Sequence, residues 1–122
     1  MPGLPARRPH FLKHSADIER VKQSGRRLPT SLFNLMSSAS GVDQTRIGII
    51  VGKRFGGAVK RNRAKRIFRE LARRTGVHFK AGYDVLVFPR REALVVKHAR
   101  LRDAWMAALK HEGLLASSPE HA

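Results

Sequence analysis

The segment from Lys53 to Arg74 holds ten of the 25 basic residues in a chain of 122, against a single acid, Glu70. Its local net charge is +9 over 22 residues. Lys65, Arg69 and Arg73 recur four residues apart, a spacing at which like charges on a helix repel by a few tenths of a kcal/mol per pair and at which solvated helices usually alternate in sign. A merely solvated basic face is the plainer alternative, but a face that holds phosphate explains the missing acids better. Arginine outnumbers lysine here, which suits forked capture of phosphate oxygens and stacking on bases. Asn62, with a donor and an acceptor, could read a base edge or a ribose hydroxyl. The run Lys53-Arg54-Phe55-Gly56-Gly57 leads into the start of the same segment, where unpaired backbone N–H groups and the helix dipole favour an anion. It lacks the lysine and hydroxyl placement of a nucleotide-binding P-loop.

Residues that could break a bond are not grouped. The acids Asp17, Glu19, Asp43, Glu70, Asp84, Glu92, Asp103, Glu112 and Glu120 are scattered, with no close pair on one helix or strand face to cage Mg²⁺. Asp84, at a strand end, reads as a turn or edge residue. Of the histidines, His10 and His14 have helical ligand spacing but straddle an arm and the start of a helix, so no metal site is expected there. Cysteine is absent, which excludes disulfides, thiolate metal sites and thiol nucleophiles. The chain offers little with which to cut RNA.

Positioning such a face requires a fold, and the composition supplies one. A mass of 13.7 kDa corresponds to one domain. With 42% hydrophobic residues the chain can build a core, yet its net charge of +16 and pI near 11.8 call for a polyanionic partner. Nucleic acid is the commonest such partner, and an anionic membrane surface the weaker alternative. No apolar run approaches the roughly 18 to 20 residues that span a bilayer, and Met1 to Ser15 carries Pro2, Pro5 and Pro9 in place of a signal core. The expected location is cytoplasmic, without membrane contact. The expected organisation is an irregular arm over 1–14, one RNA-binding domain over 15–113 and a flexible tail over 114–122.

Periodicity then places the elements. Ser15 to Gly25 predicts a short helix with Ser15 as N-cap, Ile18 and Val21 as its apolar side and Gly25 at its end. Leu32 to Met36 suits a strand with Phe33 and Leu35 toward the core and Leu32, Asn34 and Met36 facing away. Arg46 to Gly52 alternates strictly, with Ile47, Ile49 and Val51 against Arg46, Gly48, Ile50 and Gly52. The glycine-bearing face is bare, as though something approaches it closely. Ala58 to Arg74 predicts the clearest helix, with a stripe of Ala64, Ile67, Phe68 and Leu71 opposite Asn62, Lys65, Arg66, Arg69 and Arg73. Tyr83 to Phe88 predicts a strand, and Val96 to Glu112 a last helix that buries Leu101, Ala104, Trp105, Ala108 and Leu109.

The stretch Arg46-Ile-Gly-Ile-Ile-Val-Gly-Lys-Arg-Phe-Gly-Gly-Ala-Val-Lys-Arg-Asn-Arg-Ala-Lys-Arg-Ile-Phe-Arg-Glu70 resembles the protein subunit of bacterial ribonuclease P. That family joins a strand, two basic residues, a Gly-x-Ala-Val turn and a helix opening Arg-Asn-Arg-x-x-Arg. The order of elements agrees over about 100 residues. The resemblance implies an α+β fold, an α/β sandwich in the order α-β-β-β-α-β-α, with a four-stranded sheet and a left-handed strand-helix-strand crossover, against the general right-handed rule. It also implies that the RNA subunit, with Mg²⁺, cleaves precursor tRNA, while the protein binds that RNA and the 5′ leader and improves substrate and Mg²⁺ binding. DNA is not an expected partner, since no leucine heptad follows Arg74 to dimerise the basic helix.

Residue by residue, the resemblance assigns the RNA subunit to Lys53, Arg54, Lys60, Arg61, Asn62, Arg63, Lys65, Arg66 and Arg69. The leader is assigned to a cleft between the first helix and the bare sheet face, with Ile18, Lys22, Met36, Arg46, Ile50 and Gly52. The family often has aromatic residues at the positions of Ile18, Lys22 and Met36. Their absence predicts a leader contact that depends more on charge than on stacking, worth about 1 to 3 kcal/mol per base where it occurs. Phe11, on the arm, is the candidate replacement ring. A structural RNA-binding protein of the ribosomal type is the alternative reading, and a self-sufficient nuclease a third.

Overall fold

Alternating apolar residues produce a sheet with two buried faces of unequal size. The computed structural model describes residues 10–116; residues 1–9 of the expected arm and 117–122 of the expected tail lie outside the described residues. The strands are β1 (His10–Phe11), β2 (Arg26–Pro29), β3 (Phe33–Ala39), β4 (Arg46–Ile49) and β5 (Tyr83–Pro89). The helices are α1 (Ser15–Ser24), α2 (Ala58–Thr75) and α3 (His98–His111). The sheet order is β1-β4-β5-β3-β2. β4 runs parallel to β1 and β5, while β3 is antiparallel to β5 and β2. From α1 onward the expected order of helix, three strands, helix, strand, helix is present.

The sheet has five strands rather than the four expected, because the end of the arm pairs with β4. The His10 N–H donates to the Thr45 carbonyl at 3.1 Å and the Leu12 N–H to the Ile47 carbonyl at 2.8 Å. Residues 10 and 11 are therefore sheet, not irregular arm. At the other end Leu114 is buried, the Lys80 N–H donates to its carbonyl at 2.8 Å, and the Ala116 N–H donates to the His78 carbonyl at 2.7 Å. Ordered packing thus continues past Gly113, the expected boundary, through residue 116.

The larger core lies under α2 and α3. Phe33, Leu35, Ile47, Val85 and Val87 of the sheet meet Phe68, Leu71 and Ala72 of α2 and Leu101, Trp105, Ala108 and Leu109 of α3. The rings of Phe33, Phe68 and Trp105 pack with centroids 5.7 to 6.1 Å apart. The buried Trp105 indole donates to Thr75 Oγ1 at 2.9 Å, so its polar end is satisfied. Each large side chain buried here stabilises the fold by roughly 1.5 to 3 kcal/mol, which holds α2 firmly in place.

On the opposite face α1 covers a smaller group, Leu12, Val21, Met36 and Leu86, flanked by Ile18, Ile50 and Phe88. Gly48 explains itself here: a Cβ added to it would lie 2.7 Å from Leu86 Cδ2 and 3.4 Å from Leu12 Cβ. The bareness expected on that face is filled from within, by two leucines. Gly25 ends α1 where a Cβ would collide with the Val21 carbonyl oxygen. Two local expectations shift by register. Ser15 is the first residue of α1, with His14 at the cap position, and makes no side-chain cap. Leu32 precedes β3 in a turn closed by the Thr30 N–H on the Phe33 carbonyl (2.9 Å), and it joins the α2–α3 core rather than the α1 face.

Candidate nucleic-acid interface

α2 buries Ala64, Phe68, Leu71, Ala72 and Thr75, with Ile67 partly covered, and so turns its cations outward. Lys60, Asn62, Arg63, Arg66 and Arg69 are exposed, while Arg61 and Lys65 are half-buried. Glu70 accepts from Arg74 Nε at 3.2 Å and lies 3.9 Å from Arg73 Nη1. Arg73 therefore has some relief that its spacing from Lys65 and Arg69 did not suggest. Lys53, Arg54, Lys60, Arg61, Arg63, Lys65, Arg66 and Arg69 make no ion pair among the described residues. Arg61 Nε is shielded from solvent and also lacks an acceptor.

The approach to α2 fixes two more of these cations. Lys53–Phe55 forms a 3-10 turn pinned by the buried Phe55 ring, and the Phe55 backbone N–H donates to the Gly52 carbonyl at 3.0 Å. Lys53 and Arg54 are left exposed beside the first turn of α2. That turn carries no acid and no side-chain cap, so its positive end is uncompensated by the protein.

The expected leader cleft is assembled only in part. Ile18, Met36 and Ile50 come together in the α1-side cluster, while Gly52 is exposed with open space where a side chain would be. Lys22 is exposed on α1, 3.7 Å from Glu19. Phe11 is not there. In the parallel β1–β4 pair Phe11 stands level with Ile47, so both point into the α2–α3 core on the other side of the sheet. The ring on the cleft face is Phe88, partly buried beside Ile50 and Met36. Its alternation with Asp84 and Leu86 was the signal for it.

Arg46 is also committed elsewhere. Its Nε and Nη2 donate to Asp84 Oδ1 and Oδ2, both at 2.7 Å, in a fork, and its Nη1 lies 3.4 Å from Asp17 Oδ2. Arg20 of α1 donates to Asp84 Oδ2 as well. The hydrogen bond to Asp84 raises the Arg46 pKa above its ordinary value, with burial opposing and the charges of Asp84 and Asp17 adding to the rise. A raised arginine keeps its charge through the neutral range, so on the arginine side this pairing yields only to strong alkali. Asp84 is accordingly no turn or edge residue: it sits on the central strand with its side chain 0% exposed. A carboxylate so placed is sustained by its two guanidinium partners.

Among the described residues no three His, Asp or Glu side chains converge. Asp17 and Asp84, which share Arg20 and Arg46 as partners, are occupied by arginine. These donors do not fit a Mg²⁺ cage.

A domain of this shape, two helices on one face of a mixed sheet and one on the other, with one helix presenting unpaired arginines, defines a small α+β protein built to face a polyanion. Comparison with known proteins makes that class specific. The model of the family described as ribonuclease P matches residues 6–113. The ribonuclease P protein component of Syntrophobacter fumaroxidans is 41% identical over 92 residues, covering 74% of this chain and 77% of that protein. That of Dehalococcoides mccartyi is 38% identical over 96 residues, covering 74% and 78%. The structure of the Staphylococcus aureus RNase P protein superimposes with a TM-score of 0.78 at 25% identity, over 89% of this chain and all of that one. The Thermotoga maritima RNase P protein gives 0.75 at 29% identity, over 84% and 96%. The chain belongs to the ribonuclease P protein-component family.

Proposed function

We propose that the chain clamps the RNA subunit of ribonuclease P with α2 and the Lys53–Phe55 turn, and holds the 5′ leader of precursor tRNA in the cleft beside α1. Cleavage and its Mg²⁺ belong to the RNA subunit in this reading, and the work is done in the cytoplasm. The observation that carries it is the contrast in pairing: Arg20 and Arg46 find aspartates, while Arg61, Arg63, Arg66 and Arg69 have none among the described residues. A row of like charges without protein counterions is stabilised when phosphates replace them, with release of condensed cations from the RNA. Arginine forks on a rigid helix hold those phosphates in fixed register, and α2 is rigid because its other side is core.

The chain's contribution to catalysis is then positional. It brings RNA subunit and substrate together and lowers the electrostatic cost of their approach, so that less Mg²⁺ is needed to screen them. In the cleft the partly exposed Ile18, Ile50 and Phe88 offer apolar contact to unpaired bases above buried Met36, with Phe88 as the stacking ring. Because Arg46 is bound to Asp84, stacking and shape weigh more here, and charge less, than the missing aromatic residues suggested. The test is to sequence the RNA that copurifies with the protein. The RNA subunit of ribonuclease P and precursor tRNA are expected; enrichment of ribosomal RNA in their place would overturn the proposal.

A further inference from the structure

The hydrophobic contacts of α1 are few for a helix that walls a binding cleft. It has ten residues, of which only Val21 is fully buried, and a helix of that length has little stability of its own. Apolar contact through Val21 and half-buried Ile18 resists separation but does little to fix rotation, since it is not directional. The directional contacts come from four charged groups alternating in sign. Asp84 on β5 receives the fork of Arg46 from β4, with which it is level in the parallel pairing. It also receives Arg20 from α1. Asp17 on α1 closes the ring, 3.4 Å from Arg46 and 3.7 Å from Arg20. Two strands and one helix are thereby tied at a single buried carboxylate.

We propose that Asp84 is a positioning residue for leader recognition: through Arg20 it sets the angle of α1 over the sheet, and so the width of the cleft lined by Ile18, Met36, Ile50 and Phe88. The inference rests on the leader-binding reading above. It also accounts for an acid at the centre of the sheet in a chain with nine acids and a net charge of +16. Asp84 and Asp17 together balance two arginines that would otherwise offer the RNA a second basic patch and compete with α2 for phosphate.

The experiment reconstitutes the complete enzyme with the RNA subunit and measures KM for precursor tRNA with a long leader and with a one-nucleotide leader. Wild type, Asp84→Asn and Arg20→Ala are compared. Arg20→Ala leaves the Arg46–Asp84 fork intact, so the fold survives if Asp84→Asn does not. Both variants are expected to lose about tenfold of the affinity advantage of the long leader. The one-nucleotide leader and the affinity for the RNA subunit should change less than about twofold. Equal losses on both substrates, tracking a lower melting temperature, would make Asp84 merely structural and overturn the inference. So would a long-leader advantage retained in both variants. If wild type itself showed no leader dependence, the leader-binding reading would fall, and this inference with it.

Discussion

Two groups of arginine in this molecule share a chemistry and differ in their company. On α2, Arg61, Arg63, Arg66 and Arg69 stand above a core of Ala64, Phe68 and Leu71 without an acid to receive them among the described residues. On the far side of the sheet, Arg20 and Arg46 are bound to Asp17 and Asp84. The first group is held from beneath by apolar packing and leaves its charge unspent; the second spends its charge holding α1. A count of basic residues does not distinguish the two. Pairing does, and in the proposed reading it separates the residues that serve a partner from those that serve the fold.

The largest effect should follow from removing unpaired charge. Replacing Arg61, Arg63 and Arg66 together by Ala should weaken binding to the RNA subunit on the order of 100-fold at moderate salt. It should also flatten the slope of log K against log salt by about 2 to 3, with little change in melting temperature. Filter binding across a salt series reads both; an unchanged slope with a lower melting temperature would move these residues into the architectural group. The counterpart on the paired side is Arg46→Ala. It leaves Asp84 buried with one partner fewer, and should cost about 3 kcal/mol in denaturant unfolding. A loss of RNA-subunit affinity at unchanged stability would show that Arg46 belongs with α2 instead.

That distinction was only half legible in the sequence. α2 could be read because its apolar stripe repeats at the helical period and its acids are missing, both local facts. The ring of Arg20, Arg46, Asp17 and Asp84 joins residues up to 67 positions apart, and nothing within ten residues of Asp84 announces its partners. β4 and β5 were visible from strict alternation. β2, with two arginines and a proline in four residues at the sheet edge, was not, and the two residues of β1 carry no period at all. Phe11 went to the wrong face for that reason: its side is fixed by register with Ile47, which only the pairing of β1 with β4 decides.

Two smaller changes sharpen the comparison. Gly48→Ala would press a methyl group against Leu86 beneath α1, and should cost about 1 to 3 kcal/mol of stability without altering the salt slope of RNA-subunit binding. Urea unfolding measures the first, and a changed slope would mean that packing under α1 reaches the α2 face. Glu70→Gln removes the acid beside Arg73 and Arg74, at a cost of roughly 0.3 to 0.5 kcal/mol in an exposed helical pair. Because it releases two cations toward the RNA, affinity at low salt should rise slightly. Weaker binding would mean that Glu70 orients those arginines for contact.

The central claim is that this chain lends charge and shape to an RNA that performs the cleavage. The most direct measurement is the rate of 5′ processing of precursor tRNA at low Mg²⁺ with protein alone, with RNA subunit alone and with both. The account predicts no cleavage by the protein, little by the RNA and efficient cleavage by the pair. Cleavage by the protein alone, or no gain on adding it to the RNA, would contradict it.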